Sequence, residues 1–206
     1  MSTQPQHMAN HWWWRPGWRP GRTFYTWHLT FQDASDVHRL AETYRQALGV
    51  VPGLDLVPDQ WLHLTMQGIG FVDEVPEEEA RAIADAAASR LRAVPAFELT
   101  LRRPEITPEA VRWEAEPGHA PAAVRAAVRA AIADVRGDVP EAEDGFKPHV
   151  SIAYSSASGS SEPVAEALAS VEAEPATALV RGVQLIALHR DNQMYEWKQF
   201  AEVPLD

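Results

Sequence analysis

Two tripeptides, His63-Leu64-Thr65 and His149-Val150-Ser151, stand 86 residues apart and fall at the same place in an order of elements that the chain runs through twice. Bulky, β-favouring residues at 24–31 and 111–116 suggest strands. Apolar residues at helical spacing over 36–48 and 122–136 suggest helices, which Gly49 and Gly137 can end. Each histidine tripeptide then lies in a strand, at 61–66 and 148–154. Ala-rich helices are expected at 77–94, after Pro76, and at 162–171. Further strands fit 97–103, 179–189 and 195–203. Matching elements begin at 24 and 111, 36 and 122, 63 and 149, 77 and 162, offsets of 87, 86, 86 and 85 residues. The two halves share few letters, so what repeats is the pattern.

A duplicated pattern of this kind predicts an α+β fold of two pseudosymmetric lobes. Each would be an antiparallel sheet with helices on its outer face, and an active-site cleft would lie between them. No flexible linker divides the repeat, only a short Pro-containing turn near 104, so residues 23–206 read as a single bilobal domain. By chain order its lobes are 23–104 and 105–206. Residues 1–22 form a separate arm, too rich in Trp, Arg, Pro and Gly over 11–21 to be helix or strand.

In a strand, side chains alternate between faces. His63 and Thr65 share a face with Trp61, while Leu62, Leu64 and Met66 point away. His149, Ser151 and Ala153 share a face, with Val150, Ile152 and Tyr154 opposite. Each lobe thus offers one imidazole beside one hydroxyl, and lobes that face each other bring the two pairs together. Histidine titrates near pH 6.5 when unperturbed, so one ring can be neutral while the other is protonated. In-line displacement at phosphorus needs such a base for the attacking water and such an acid for the departing oxygen. Hydroxyls can hold the non-bridging oxygens in place.

Composition narrows the partners. The net charge of −11 argues against a protein that coats nucleic acid through its overall field, and favours a small or short anionic ligand in a local pocket. Absence of cysteine removes thiol nucleophiles and thiolate metal sites. No His-Glu-x-x-His spacing suggests a metal, so neither metal nor cofactor is expected. No stretch approaches the roughly 20 apolar residues of a membrane span, and the first residues lack a basic and apolar leader. A cytoplasmic monomer is the expectation.

The chain from 24 to 203 resembles the 2H phosphoesterase superfamily through its paired H-x-T/S motifs, and within it the branch of 2′-5′ RNA ligases and RNA 2′,3′-cyclic phosphodiesterases. The segments 185–190 and 194–197 resemble that family's closing hairpin. The resemblance implies an enzyme, a metal-independent cyclic phosphodiesterase. It would hydrolyse 2′,3′-cyclic phosphates of RNA ends or small nucleotides to 2′-phosphates, with 2′-5′ ligation as the reverse reaction. It also implies His149 as base, His63 as acid, and Thr65 and Ser151 as phosphate ligands. The residues alone do not order the two histidines.

One tripeptide by itself more often marks a satisfied polar pair; two at matched positions favour a site. The alternative function is a nucleotide- or RNA-binding module that keeps the cleft without turnover. A third tripeptide, His28-Leu29-Thr30, has no partner in the repeat. Its counterpart falls near Glu114 or Ala115, so His28 is a candidate for lining the cleft and not for catalysis. Arg190, at a strand end, is a phosphate clamp or a surface charge, and Lys147 has similar standing. The tryptophans of the arm either pack over a sheet or stack on a base, with Trp18 the candidate for contact. Tyr154 is expected in the core, and His7 and His11 are expected to be incidental.

Overall fold

The computed structural model describes residues 5–206; residues 1–4 of the expected arm lie outside them. In chain order the strands and helices are β1 (His7–Met8), β2 (Phe24–Thr30), α1 (Ser35–Leu48), β3 (Leu54–Leu56), β4 (His63–Phe71), α2 (Glu77–Leu91), β5 (Phe97–Leu101) and β6 (Glu105–Ile106). There follow β7 (Ala110–Glu116), α3 (His119–Arg136), β8 (His149–Ser155), β9 (Gly159–Ser160), α4 (Glu162–Ala169), β10 (Ala176–Val180), β11 (Gly182–His189) and β12 (Glu196–Pro204). The helices form where expected. In α1 the residues Val37, Leu40, Ala41, Tyr44 and Leu48 are buried on one stripe. Helix α3 ends at Gly137, whose left-handed φ of 79° suits a residue without Cβ. Three glutamates, Glu77 to Glu79, occupy the first turn of α2, where negative charge favours the helix dipole.

Two antiparallel sheets make the α+β architecture. One has the order β12-β11-β2-β4; the other runs β10-β5-β7-β8-β3, with β6 on β7. Helices α2 and α3 pack together and onto the first sheet, while α1 covers the second with α4 packed beside it. Trp27 of β2 and Trp113 of β7 are among the largest side chains wholly buried between these layers.

The lobes do not follow chain order. β11 and β12, from the second half, complete the sheet of β2 and β4, while β3 and β5, from the first half, join β7 and β8. The boundaries 23–104 and 105–206 therefore give way to two lobes that exchange strands and helices. The expected strand at 179–189 breaks at Arg181, where the chain crosses from one sheet to the other. The strands before and after it, β10 and β11, read as one apolar run, which hides the crossing. Trp61 lies in a 3₁₀ turn (Asp59–Trp61), and β4 starts only at His63.

Residues of the arm lie against both lobes. On the second, β1 pairs with β9, and the Trp12 indole donates to Asp55 Oδ2 at 2.7 Å. On the first, the Arg22 guanidinium donates to Asp73 at 2.8 Å and pairs with Glu74. Trp12 is buried, whereas Trp13 and Trp14 remain about half exposed, at 51% and 49%. The arm thus packs through one part of its tryptophan cluster and leaves the other in solvent.

Candidate functional site

β4 and β8 approach each other between the sheets, and a cavity of about 470 Å³ opens there. Six of the sequence-derived candidates line it: His63, Thr65, His149, Ser151, His28 and Trp18. Each candidate catalytic imidazole is held in the same way. His63 Nδ1 lies 2.7 Å from the Trp61 carbonyl oxygen, and His149 Nδ1 lies 2.7 Å from that of Lys147. A carbonyl can only accept, so both Nδ1 atoms carry a proton. Each neutral ring then keeps its lone pair on Nε2. The backbone two residues upstream sets the tautomer in both lobes.

The strand registers extend this symmetry and correct the expected facing. On β4, Thr65 pairs with His28 and Gln67 with Trp27, so Met66 is an extra residue. On β8, Ser151 pairs with Arg112 and Ala153 with Val111, so Ile152 is extra at the matching place. A β-bulge adds one residue and reverses the alternation beyond it. Ala153 consequently turns into the core, and Tyr154, expected there, comes to line the cavity beside His149 and Ser151. The same register makes Arg112 the counterpart of His28, in place of Glu114 or Ala115. Nothing in a single sequence shows a bulge of this kind, which is why Arg112 escapes a reading by spacing.

Around the two rings the surroundings differ. His63 is buried, and its ring stacks on that of His28 at 4.4 Å and 3°. Trp197 and Tyr195 meet it edge-on at 5.3 and 5.9 Å. Burial, opposed by the Trp61 carbonyl and reinforced by His149, lowers the His63 pKa to about 4. His28 is only 1% exposed; burial, then His63, hold it well below the ordinary histidine value. Its Nε2 lies 3.3 Å from Thr65 Oγ1. His149 is half-buried, and burial together with the Arg112 charge lowers its pKa despite the Lys147 carbonyl. Arg112, which also lines the cavity, donates through Nε to Glu105 at 2.9 Å.

Arg190 does not line the cavity. Its guanidinium is buried against the arm, donating to the His11 carbonyl at 2.9 Å and lying over the rings of Trp12, Trp18 and Tyr195 at 5.4 to 5.8 Å. The expected substrate clamp is therefore a clamp on the arm, because the start of the loop between β11 and β12 faces the Trp-rich segment. His11, expected to be incidental, reaches the cavity together with Arg15. Its ring stacks on Tyr154 at 4.4 Å. A histidine in an irregular segment has no periodicity to place it, and only the docking of the arm reveals its position. Among the described residues no group of three or more histidine or carboxylate side chains could hold a metal ion. None of the helices described is long and apolar enough to cross a membrane.

Two facing lobes thus bring one tethered histidine and one hydroxyl each into a single cleft. The model of the 2′-5′ RNA ligase superfamily matches residues 31–192. The chain therefore belongs to that superfamily, a group of 2H phosphoesterases. Solved structures share its fold. TT0787 of Thermus thermophilus is 21% identical, with a TM-score of 0.67 over 89% of this chain and 97% of that one. E. coli LigT, in complex with 3′-AMP, is 17% identical, with a TM-score of 0.66 over 89% and 98%. A structure described as a phosphoesterase is 17% identical, with a TM-score of 0.63 over the same shares. No curated protein matches the sequence.

Proposed function

We propose that the chain is a metal-independent phosphodiesterase that opens 2′,3′-cyclic phosphates to 2′-phosphates, with 2′-5′ ligation as the same ring opening when a 5′-hydroxyl attacks in place of water. The observation that carries this reading is the matched pair of imidazoles, each with Nδ1 tied to the backbone and Nε2 free for proton transfer in one cavity. Water attacks phosphorus as His149 Nε2 accepts its proton. The bond from phosphorus to the 3′-oxygen breaks as His63 Nε2–H protonates that oxygen. His149 ends protonated and His63 neutral, and a proton returned through water restores the pair. Thr65 and Ser151 hydroxyls hold the non-bridging oxygens, and Arg112 offsets their charge.

The assignment of base and acid rests on the family resemblance, and the surroundings agree with it. His149 is half-buried and within reach of solvent water, whereas His63 lies under aromatic rings that shield a proton passed to a sugar oxygen. Both rings favour the neutral form in the free protein. A bound phosphodiester anion favours the protonated form of the ring nearest to it, which supplies the acid. Crystals of E. coli LigT in complex with 3′-AMP, ATP and phosphate support a nucleotide as the ligand class.

The test is incubation with 2′,3′-cyclic mononucleotides and with oligonucleotides ending in the cyclic phosphate, in the presence of a chelator, followed by phosphorus NMR. A 2′-phosphate product that disappears in His149→Ala is expected. Tight binding with no product from any of these substrates would favour a nucleotide-binding module instead.

A further inference from the structure

The part of the cavity wall built by the arm lies outside the segment that the family model matches, which begins at residue 31. Its hub is Glu109, in the turn before β7. Glu109 accepts from His11 Nδ1 at 3.0 Å, from Arg15 at 2.8 Å and from the Trp13 indole at 3.2 Å. On the other side of the imidazole, His11 Nε2 lies 2.8 Å from Tyr195 Oη.

The direction of these hydrogen bonds follows from what each atom can do. A carboxylate only accepts, so His11 Nδ1 carries a proton. Burial lowers the His11 pKa to about 4, so near neutrality Nε2 holds a lone pair and the phenol must donate to it. Burial also raises the Tyr195 pKa, so the phenol keeps its proton. Donation therefore runs from Tyr195 to His11 to Glu109, and Tyr195 Oη is left to the cleft as an acceptor. Its ring stands 5.9 Å from that of His63. Carboxylates of Glu109 and Glu141 line the same cavity, and the Arg15 charge is already matched by Glu109.

We infer that this wall selects a small cyclic nucleotide with a free sugar hydroxyl over the end of an RNA chain. The inference rests on the phosphodiesterase reading above and names its substrate class. In a 2′,3′-cyclic mononucleotide the 5′-hydroxyl is the one hydroxyl left on the ribose, and it is the donor that Tyr195 Oη lacks. In an RNA end that oxygen is esterified. The donor is lost, the added phosphate charge meets the Glu141 carboxylate in the cavity wall, and the next residue must pass an arm fastened to both lobes. The net charge of −11 opposes a polyanion further.

The experiment compares kcat/KM for 2′,3′-cyclic AMP with that for the dinucleotide ApA bearing a 2′,3′-cyclic phosphate, in the full chain and in Tyr195→Phe. A preference of about tenfold or more for the mononucleotide is expected, as one well-placed hydrogen bond gives. In Tyr195→Phe it should shrink to about threefold or less, through KM. The 5′-deoxy analogue should lose the same factor in the unaltered chain and little in the variant. His11→Asn, which withdraws the acceptor of the phenol proton, provides a second variant should the first misfold, and it should also weaken the preference. Equal or better turnover of the dinucleotide, or a ratio unchanged in both variants, overturns the inference. Calorimetry with 2′-AMP and the dinucleotide 2′-phosphate reads the same ratio without turnover. A chain that shows the binding preference but cleaves neither compound would refute the phosphodiesterase reading and uphold this one.

Discussion

β4 and β8 begin alike and then diverge. Each opens on a histidine tied to the carbonyl two residues upstream, continues to a hydroxyl in the cavity, and bulges at the next position. Across from the hydroxyl, however, the first lobe has buried His28 and the second has Arg112, which reaches the cavity in an ion pair with Glu105. Past the bulge the first lobe has Gly68 and the second has Tyr154. The backbone devices that aim Nε2 were kept in both copies, while the neighbours that set charge and solvent access were not. Two similar imidazoles can take opposite roles in one reaction only if their surroundings differ, and here they do.

The comparison can be broken most directly at the histidines. On the proposed mechanism His63→Ala and His149→Ala should each lower kcat by about a hundredfold or more, with thermal melting to verify folding. Full activity in either variant would end the assignment of paired roles. The next effect concerns Gly68. A Cβ there would lie 2.6 Å from Glu141 Oε1 and 2.8 Å from the Phe24 ring, so Gly68→Ala should cost about 1–3 kcal/mol in denaturant titration. Tyr154→Phe, at the matching place, should cost less. Equal costs would mean that the two positions are not structural counterparts with different space around them.

At the hydroxyl partners the expected effects are smaller and split by kind. Arg112→Met should raise KM by about tenfold through loss of a charge near the phosphate. His28→Asn should act on kcat, by a factor of about three to ten, through the Thr65 hydroxyl. The smallest effect concerns pH. Both catalytic candidates titrate below the ordinary histidine value of about 6.5, so the singly protonated pair is most populated on the acid side of it. The kcat/KM optimum should lie there, and Arg112→Met should move it upward by relieving His149. Stability follows the same groups. His63 and His11 are held neutral by burial, so the stability tied to them is present above about pH 6.5 and is lost as pH falls toward about 4. Urea titrations at pH 7 and pH 4.5 check the sign.

The core of the site is legible in the sequence because local rules govern it. Period-two alternation places His63 with Thr65 and His149 with Ser151, and helical spacing sets the buried stripe of α1. Such reading fails where a single added or displaced residue changes the geometry. Alternation carried through Ile152 puts Tyr154 in the core, whereas the bulge turns it to the cavity. β10 and β11 read as one strand, with no sign of the crossing at Arg181, and so the lobes come out in chain order.

By itself, then, the chain determined which residue types recur at matching places and hence that two imidazole and hydroxyl pairs would share a cleft. Tertiary structure alone decided which strands complete each sheet, that Arg112 and not Arg190 reaches the cavity, and that the arm supplies His11 and Arg15 to its wall. The physical reason is that alternation and helical period are properties of a few neighbouring residues. Register, strand exchange and the docking of an irregular segment are instead settled by packing and hydrogen bonds between residues far apart in sequence.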